Sequence, residues 1–430
     1  MAKNKKGKLK KVLAAFVITV ALIVVVTTVV NASVVKGLLK KGSSYAKAEI
    51  ENQLIPEKDE KGNWVFVTDG NFKVLHLTDV HLGGGWMSSG RDKMSLNAVA
   101  TMVTREKPDL VIATGDIAFP VPFQAGTFNN KSGAKAFANL METLGVYWTI
   151  SFGNHDTEAY SYFDREAISK FYSDEDLKYC LFQSGPDDVD GYGNQVIEVK
   201  NSRGIITQAF IVMDSHSYIN SDFFGAMQKY DNIHENQVEW YRAEIERMNN
   251  ENTAALNGVF GDGPCEEKEL YSTVKTLAFF HIPLNETAEG WNEFAENGFK
   301  DTENFKYNEG IIGETGRRIF CGEGEDDLFE TMLELNSTKA VFNGHDHYNN
   351  TTFSYKNIIF SYGYSVDYLA YFGISEVGSQ RGCTLITCKP DATFDIEKFN
   401  YYSDRYDIDG FTREEVSMQF EDVEYQVEEE

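Results

Sequence analysis

Phe72-Lys-Val-Leu-His-Leu-Thr-Asp79-Val-His81 is a short apolar strand that runs directly into two metal-ligating side chains. The same arrangement recurs along the chain. Leu110–Thr114 is followed by Gly115-Asp116, and Val146–Phe152 by Gly153-Asn154-His155-Asp156. Leu277–Phe280 is followed by His281-Ile-Pro, and Ala340–Phe342, one residue on, by Gly344-His345-Asp346-His347. Helix-period segments separate the strands at Ser95–Arg105, Ala134–Leu144, Asn236–Asn250 and Asp327–Leu335. Strand-helix alternation predicts an α/β domain with buried, largely parallel strands. In such sheets sites form beyond the carboxyl ends of the strands, so these distant blocks are expected to converge.

The converging residues carry imidazole nitrogens, carboxylate oxygens and one neutral amide oxygen, a set suited to divalent transition metals. Asp79, His81, Asp116, Asn154, His281, His345 and His347 are too many for one ion that keeps a position open for water and substrate. Two ions, bridged by a shared carboxylate, fit better. Two divalent cations against the two carboxylates Asp79 and Asp116 leave a positive surplus that suits a phosphate. Such a pair lowers the pKa of a bridging water, so that the resulting hydroxide attacks phosphorus in line, and stabilises the charge of the transition state. A single Asp-x-His or Gly-Asp is usually a turn, and a single His after a strand is usually structural. Five such blocks in order exclude that reading.

Those blocks, D-x-H, G-D, G-N-H-D, a single H and G-H-x-H, resemble the calcineurin-like metallophosphoesterase superfamily over roughly residues 72–390. The resemblance implies a two-sheet β-sandwich flanked by helices. It implies one metal held by Asp79, His81, Asp116 and His347, and a second by Asp116, Asn154, His281 and His345, each manganese, iron or zinc. It also implies that His155 is not a ligand but faces the leaving group as proton donor, with Asp156 fixing its orientation. Within the superfamily, Lys107-Pro-Asp-Leu-Val, His281-Ile-Pro-Leu and Gly344-His-Asp-His resemble bacterial relatives of the purple-acid-phosphatase-29-like subgroup. True purple enzymes have D-x-G and a tyrosine three residues after the second-block Asp. His81 and Phe119 stand there instead, so the phenolate that accompanies an iron requirement is missing. The implied activity is hydrolysis of small-molecule or protein phosphate esters, phosphomonoesters first and phosphodiesters second. The rival is a catalytically idle metal-binding surface protein.

The N-terminus sets the location. Lys3, Lys5, Lys6, Lys8, Lys10 and Lys11 precede an apolar run from Val12 to Val30. Its 19 residues span roughly 28 Å as a helix, close to a bilayer's hydrocarbon thickness. The lysine cluster places the N-terminus in the cytoplasm and the rest outside, as a single-pass membrane protein. The alternative is secretion after cleavage near Val30-Asn31-Ala32. The expected organisation is a basic segment at 1–11, a transmembrane signal anchor at 12–32, a stalk and lead-in hairpin at 33–70, the catalytic domain at 71–400 and an acidic tail at 401–430.

Composition fits this plan. Against 66 Asp+Glu there are 40 Lys+Arg, a formal net charge of -26, and the densest basic cluster is the N-terminal one. Nucleic acid is therefore not an expected partner. The five cysteines form no C-x-x-C pair, which argues against a thiolate metal site. His76 is expected to pack within the first strand and His234 to lie at the surface. Asp214-Ser-His216 mimics the first block and reads as a supporting turn. Trp86 and Arg91 are weak candidates for substrate contact.

Overall fold

The computed structural model describes residues 2–324, 326–371, 374 and 381–414. In chain order the strands are β1 (Glu57–Lys58), β2 (Trp64–Val67), β3 (Phe72–Leu77), β4 (Leu110–Thr114), β5 (Tyr147–Ser151), β6 (Gln195–Lys200), β7 (Ile206–Val212), β8 (Thr276–Phe279), β9 (Phe305–Glu309), β10 (Thr338–Asn343), β11 (Thr352–Tyr355), β12 (Ile358–Tyr362), β13 (Gly382–Cys388) and β14 (Phe394–Asn400). The helices are α1 (Ala2–Gly42), α2 (Ser89–Glu106), α3 (Pro122–Ala125), α4 (Asn130–Leu144), α5 (Arg165–Tyr172), α6 (Glu235–Phe260), α7 (Glu266–Tyr271), α8 (Asn285–Glu296) and α9 (Leu328–Leu335).

Two mixed sheets result, with orders β14-β13-β3-β4-β5 and β1-β2-β6-β7-β8-β10-β12-β11-β9. Because side chains alternate across a strand, each strand feeds two different layers. Val74, Leu110, Ile112 and Ile386 of the smaller sheet meet Phe210, Leu277, Phe279 and Phe342 of the larger in one buried layer. The intervening residues Leu75, Leu77, Val111 and Ala113 turn the other way, onto α2 and α4. On the far side of the larger sheet Ile211, Ala278 and Val341 pack with Tyr241, Ile245 and Trp291 of α6 and α8. The architecture is the expected sandwich flanked by helices.

Parallel neighbours need crossovers, and here helices supply them: β3, β4 and β5 run parallel through α2 and α4, and β7, β8 and β10 run parallel in the larger sheet. All five metal-ligating blocks therefore follow carboxyl ends of parallel strands. His76, on β3, is fully buried between Phe279 and Phe342 and bonds Thr114 Oγ1 at 2.7 Å. Burial pushes its pKa down to about 3, so it is a neutral core histidine, as the sequence suggested.

The structure differs from the expected organisation at both ends of the domain. Residues 33–42 are not a loose stalk: α1 continues unbroken to Gly42 and packs on α2 and α4, with Leu38 fully buried. The apolar side chains at Val34, Leu38 and Tyr45 sit on one helical face and its extension, which gives the helix a surface to dock. At the other end the packed domain runs past position 400. Tyr401 and Tyr406 are buried, and Arg405 forms paired hydrogen bonds of 2.6 Å with Glu106. The acidic stretch read as a solvated tail lies, from residue 415 onward, outside the described residues.

Candidate metal centre

The loops that carry the ligand candidates are bent in a way their residue types resist. Asp79, His81, Asp116 and His345 have φ of 52°, 50°, 53° and 77°, the left-handed region that costs an L-residue about 1–2 kcal/mol. Such strain persists only where surrounding structure overdetermines it, and it clusters at functional sites. The motif glycines make the bends possible by close approach. A Cβ on Gly344 would lie 1.8 Å from Thr78 Oγ1 and 2.6 Å from Asp79 Oδ2, and one on Gly153 would lie 2.2 Å from Asp116 Oδ1.

All seven expected ligand residues converge. Donor atoms of Asp79, His81, Asp116 and His347, all buried, lie within 4.8 Å of one another. Within this set His81 Nε2 is 3.2 Å from Asp116 Oδ2, and His347 Nε2 is 3.3 Å from Asp79 Oδ1. A second set adjoins it. His281 Nε2 is 3.3 Å from the same Asp116 Oδ2 and 3.2 Å from Asn154 Oδ1, which is itself 3.0 Å from His345 Nδ1. Ligand atoms at about 2.0–2.2 Å from one ion stand roughly 3.0–3.5 Å apart at tetrahedral or octahedral angles. The close pairs in both sets, at 3.0 to 3.3 Å, match that spacing, and Asp116 Oδ2 takes part in each.

Neighbouring groups fix which atom each ligand residue presents. His281 Nδ1 donates to Thr114 O at 2.8 Å, leaving the Nε2 lone pair facing Asp116. Asn154 Nδ2 donates to the Tyr218 hydroxyl at 3.0 Å, which turns Oδ1 toward the two imidazoles. His81 Nδ1 and His347 Nδ1 both face the fully buried carboxylate of Asp367, at 3.6 and 3.5 Å. A carboxylate behind a ligating histidine sets its tautomer and raises its basicity. Sequence reading missed Tyr218 and Asp367 because neither sits in a motif; Asp367 follows β12 by five residues in a stretch with no metal-ligating pattern.

His155 stands beside the cluster, as expected, but its orienting partner is different. Glu158 Oε1, not Asp156, accepts from His155 Nδ1, at 2.7 Å, and it also accepts from the Tyr218 hydroxyl at 3.1 Å. Asp156 instead accepts three backbone N–H bonds, from Gly153, Asp116 and Ala118, at 2.8 to 2.9 Å. It staples two ligand loops together and has no contact with the His155 ring among the described hydrogen bonds. Burial works against a charged His155, yet the carboxylates of Asp116 and Glu158 raise its pKa. Phe119, in the tyrosine's place, packs edge-on against both His81 and His155 with centroids 4.9 Å away.

A cleft of about 360 Å³ lies next to the centre, lined by Glu158 and Tyr218, which bond His155 and Asn154, and by Arg165, His216 and Ser217 among others. Here the Asp214-Ser-His216 turn finds its use: buried Asp214 pairs with Arg165, whose Nη2 donates to Gly153 O at 2.8 Å. The turn thus braces the Asn154 loop, and His216 forms part of the wall. Trp86 and Arg91 do not line this cleft. His234 is half-buried rather than a plain surface residue, held by Asp190 at 2.8 Å and Asp231 at 3.4 Å.

Because Asp367 backs His81 and His347 together, Asp367→Asn is expected to weaken metal binding by about 10- to 100-fold without unfolding the domain. Metal titration followed by elemental analysis, with circular dichroism as the folding control, measures both. Unchanged affinity would remove Asp367 from the centre.

Comparison with known proteins agrees with this geometry. Residues 72–349 match the Calcineurin-like phosphoesterase family, a span that begins at β3 and ends just past His347. The chain is 25% identical over 334 residues, 71% of its own length and 73% of the other's, to "Probable inactive purple acid phosphatase 28" of Arabidopsis thaliana. It is 26% identical over 334 residues, 74% and 77% of the two lengths, to "Probable inactive purple acid phosphatase 29" of the same plant. "Phosphatase DCR2" of Saccharomyces cerevisiae is 27% identical over 303 residues, 65% of this chain and 45% of that protein. With the family match covering well over half of its length and the buried Asp/His cluster at the strand ends, the chain belongs to the calcineurin-like phosphoesterase family.

Proposed function

We propose that the protein is a two-metal phosphate-ester hydrolase, a phosphomonoesterase in the first instance, anchored in a membrane by α1. The observation that carries the reading is Asp116 Oδ2, equidistant within 0.1 Å from His81 Nε2 (3.2 Å) and His281 Nε2 (3.3 Å), where two complete donor sets meet. Manganese, iron or zinc at those sets would activate water and neutralise phosphate charge.

The chain's own residues do the rest. His81, Asp79 and His347 on one side, and Asn154, His281 and His345 on the other, hold their donors fixed before substrate arrives, so little reorganisation remains for the reaction. His155 has Nδ1 bonded to Glu158, which leaves Nε2 for the substrate. With the ring charged, Nε2–H donates to the leaving oxygen as the phosphorus–oxygen bond breaks. Glu158 holds that ring in position and Tyr218 ties Glu158 to Asn154, so proton donor and ligand loop move as one unit.

A second reading has a specific observation behind it: three relatives carry "inactive" in their names. An idle metal-binding protein has no need of a histidine oriented by a carboxylate beside the metal cluster, and His155 with Glu158 favours the enzyme. Activity decides between them. The purified protein is expected to hydrolyse phosphate esters with manganese and to lose that activity on chelation; metal binding with no turnover on mono- or diesters would support the idle protein.

For membrane placement the uncleaved anchor is supported by the length and apolar character of the α1 segment, which exceeds the usual apolar core of a signal peptide. Protease added to intact cells is expected to digest the catalytic domain and spare the N-terminal lysines. A domain protected until lysis would reverse the orientation.

His155→Ala is expected to keep its metals and to lose on the order of 10²–10⁴ in rate on alkyl phosphates, the usual worth of a positioned general acid. Nitrophenyl phosphate, whose leaving group departs without a proton, should lose far less. Equal losses on the two substrates would end the proton-donor assignment.

A further inference from the structure

A set of large apolar side chains surrounds the point where α1 meets the domain, and no part of the catalytic account uses them. Trp86 is 51% exposed, Tyr162 67% and Phe123 87%, with Met87 and Phe128 also exposed. Contiguous exposed apolar surface of this kind marks an interaction site.

Their position relative to α1 identifies the partner. Asn31, one residue beyond the apolar run, accepts from Trp86 N–H at 2.9 Å and donates to Gly126 O at 3.0 Å. Around that contact, from Val24 to Val35, a groove of about 630 Å³ lies between helix and domain. Val24, Thr27 and Thr28 line it from the helix, and Trp86, Phe128 and Tyr162 from the domain. At about 1.5 Å of rise per residue, Val24 to Val30 covers roughly 9 Å of the helix axis. The domain therefore overlaps the last turns of the apolar segment instead of standing clear of it. If Val12–Val30 occupies hydrocarbon, this groove runs from headgroup level at Asn31 and Trp86 into the top of the acyl chains, the boundary where Trp and Tyr are favoured.

Resting on the reading of α1 as an uncleaved anchor, we propose that Trp86, Met87, Phe123, Phe128 and Tyr162 form a bilayer seat, with Lys135 beside the groove receiving anionic phospholipid headgroups. Charge supports this occupant. The chain carries a formal net charge of -26, which an anionic surface repels, whereas Lys131 and Lys135 line this groove. The seat also adjoins the centre. Phe119, in contact with His81 and His155, is four residues from Phe123 on one short loop. The domain thus sits against the membrane with its metal centre one loop above the seat.

Tryptophan quenching in nanodiscs tests this on the full chain. The discs contain phosphatidylcholine and phosphatidylglycerol brominated near the top of the acyl chains. Of the other four tryptophans, Trp148 and Trp291 are buried, and Trp64 and Trp240 are partly buried on β2 and α6 and do not line the groove, so quenching of the wild type is expected to come chiefly from Trp86. Trp86→Phe should lose most of it, and adding Phe123→Trp to that variant should restore it. Quenching that is absent in the wild type, or unchanged in Trp86→Phe, while the protein co-elutes with the discs, would overturn the seat and leave the anchor standing; a face covered by another protein would give that result. A full-length chain that does not enter the discs would overturn the anchor and the seat together. Phosphatase activity in solution is read separately and bears on neither outcome.

Discussion

A buried carboxylate with imidazoles on two sides is the constraint on which the rest of this molecule turns. Asp116 has no exposed surface, and a buried charge is tolerated only when it is paired and hydrogen-bonded. Burial alone would raise its pKa, but His281 and His155 hold it well below the usual carboxylate range. Its Oδ1 accepts the His155 backbone N–H at 2.8 Å, which leaves Oδ2 for the two sets of donors. A cluster that buries two carboxylates among several imidazoles has its charges balanced most simply by cations. Metal binding would also displace a proton from His281, whose pKa, against the effect of burial, the adjacent Asp116 carboxylate raises to about 9, since ligation needs the neutral imidazole.

Strain and support are matched around this point. Four ligand residues are held at positive φ, and the structure that holds them is the pair of sheets, whose carboxyl ends bring five loops into contact. Asp156 ties the second and third loops through three backbone bonds. Arg165, Asp367 and Tyr218 brace the third, the first with the fifth, and the link to His155. Rigid strands supply the position, and buried polar groups supply the orientation. Such a site is preorganised rather than assembled on binding, which is what stabilisation of a charged transition state requires.

How much of this was legible in the sequence depended on whether the signal was local. Each ligand loop is a strand followed at once by a recognisable block, so the strands, the ligands and their convergence could be read from Phe72 to His347. Partners brought together only by folding could not. Asp367 lies 286 residues from His81, on a segment whose pattern says nothing of metals. Glu158 was overshadowed by Asp156, which is adjacent to His155 in sequence but points to backbone amides, because the turn after β5 directs the side chain at i+3 toward the ring. The docked end of α1 reads as stalk because residues 33–70 are mostly polar, although Val34 and Leu38, one helical turn apart, mark a buried face. Charge described the exposed side of that helix and concealed the other.

The central claim is that two ions share one oxygen of Asp116. Anomalous diffraction from crystals of the manganese-loaded protein tests it most directly, because it locates each ion without reference to activity. The account predicts two peaks roughly 3.5–4 Å apart, the usual separation in two-metal sites, on either side of Asp116 Oδ2. One would be coordinated by Asp79, His81 and His347 and the other by Asn154, His281 and His345. A single peak, or two peaks that do not both include Asp116, would contradict it.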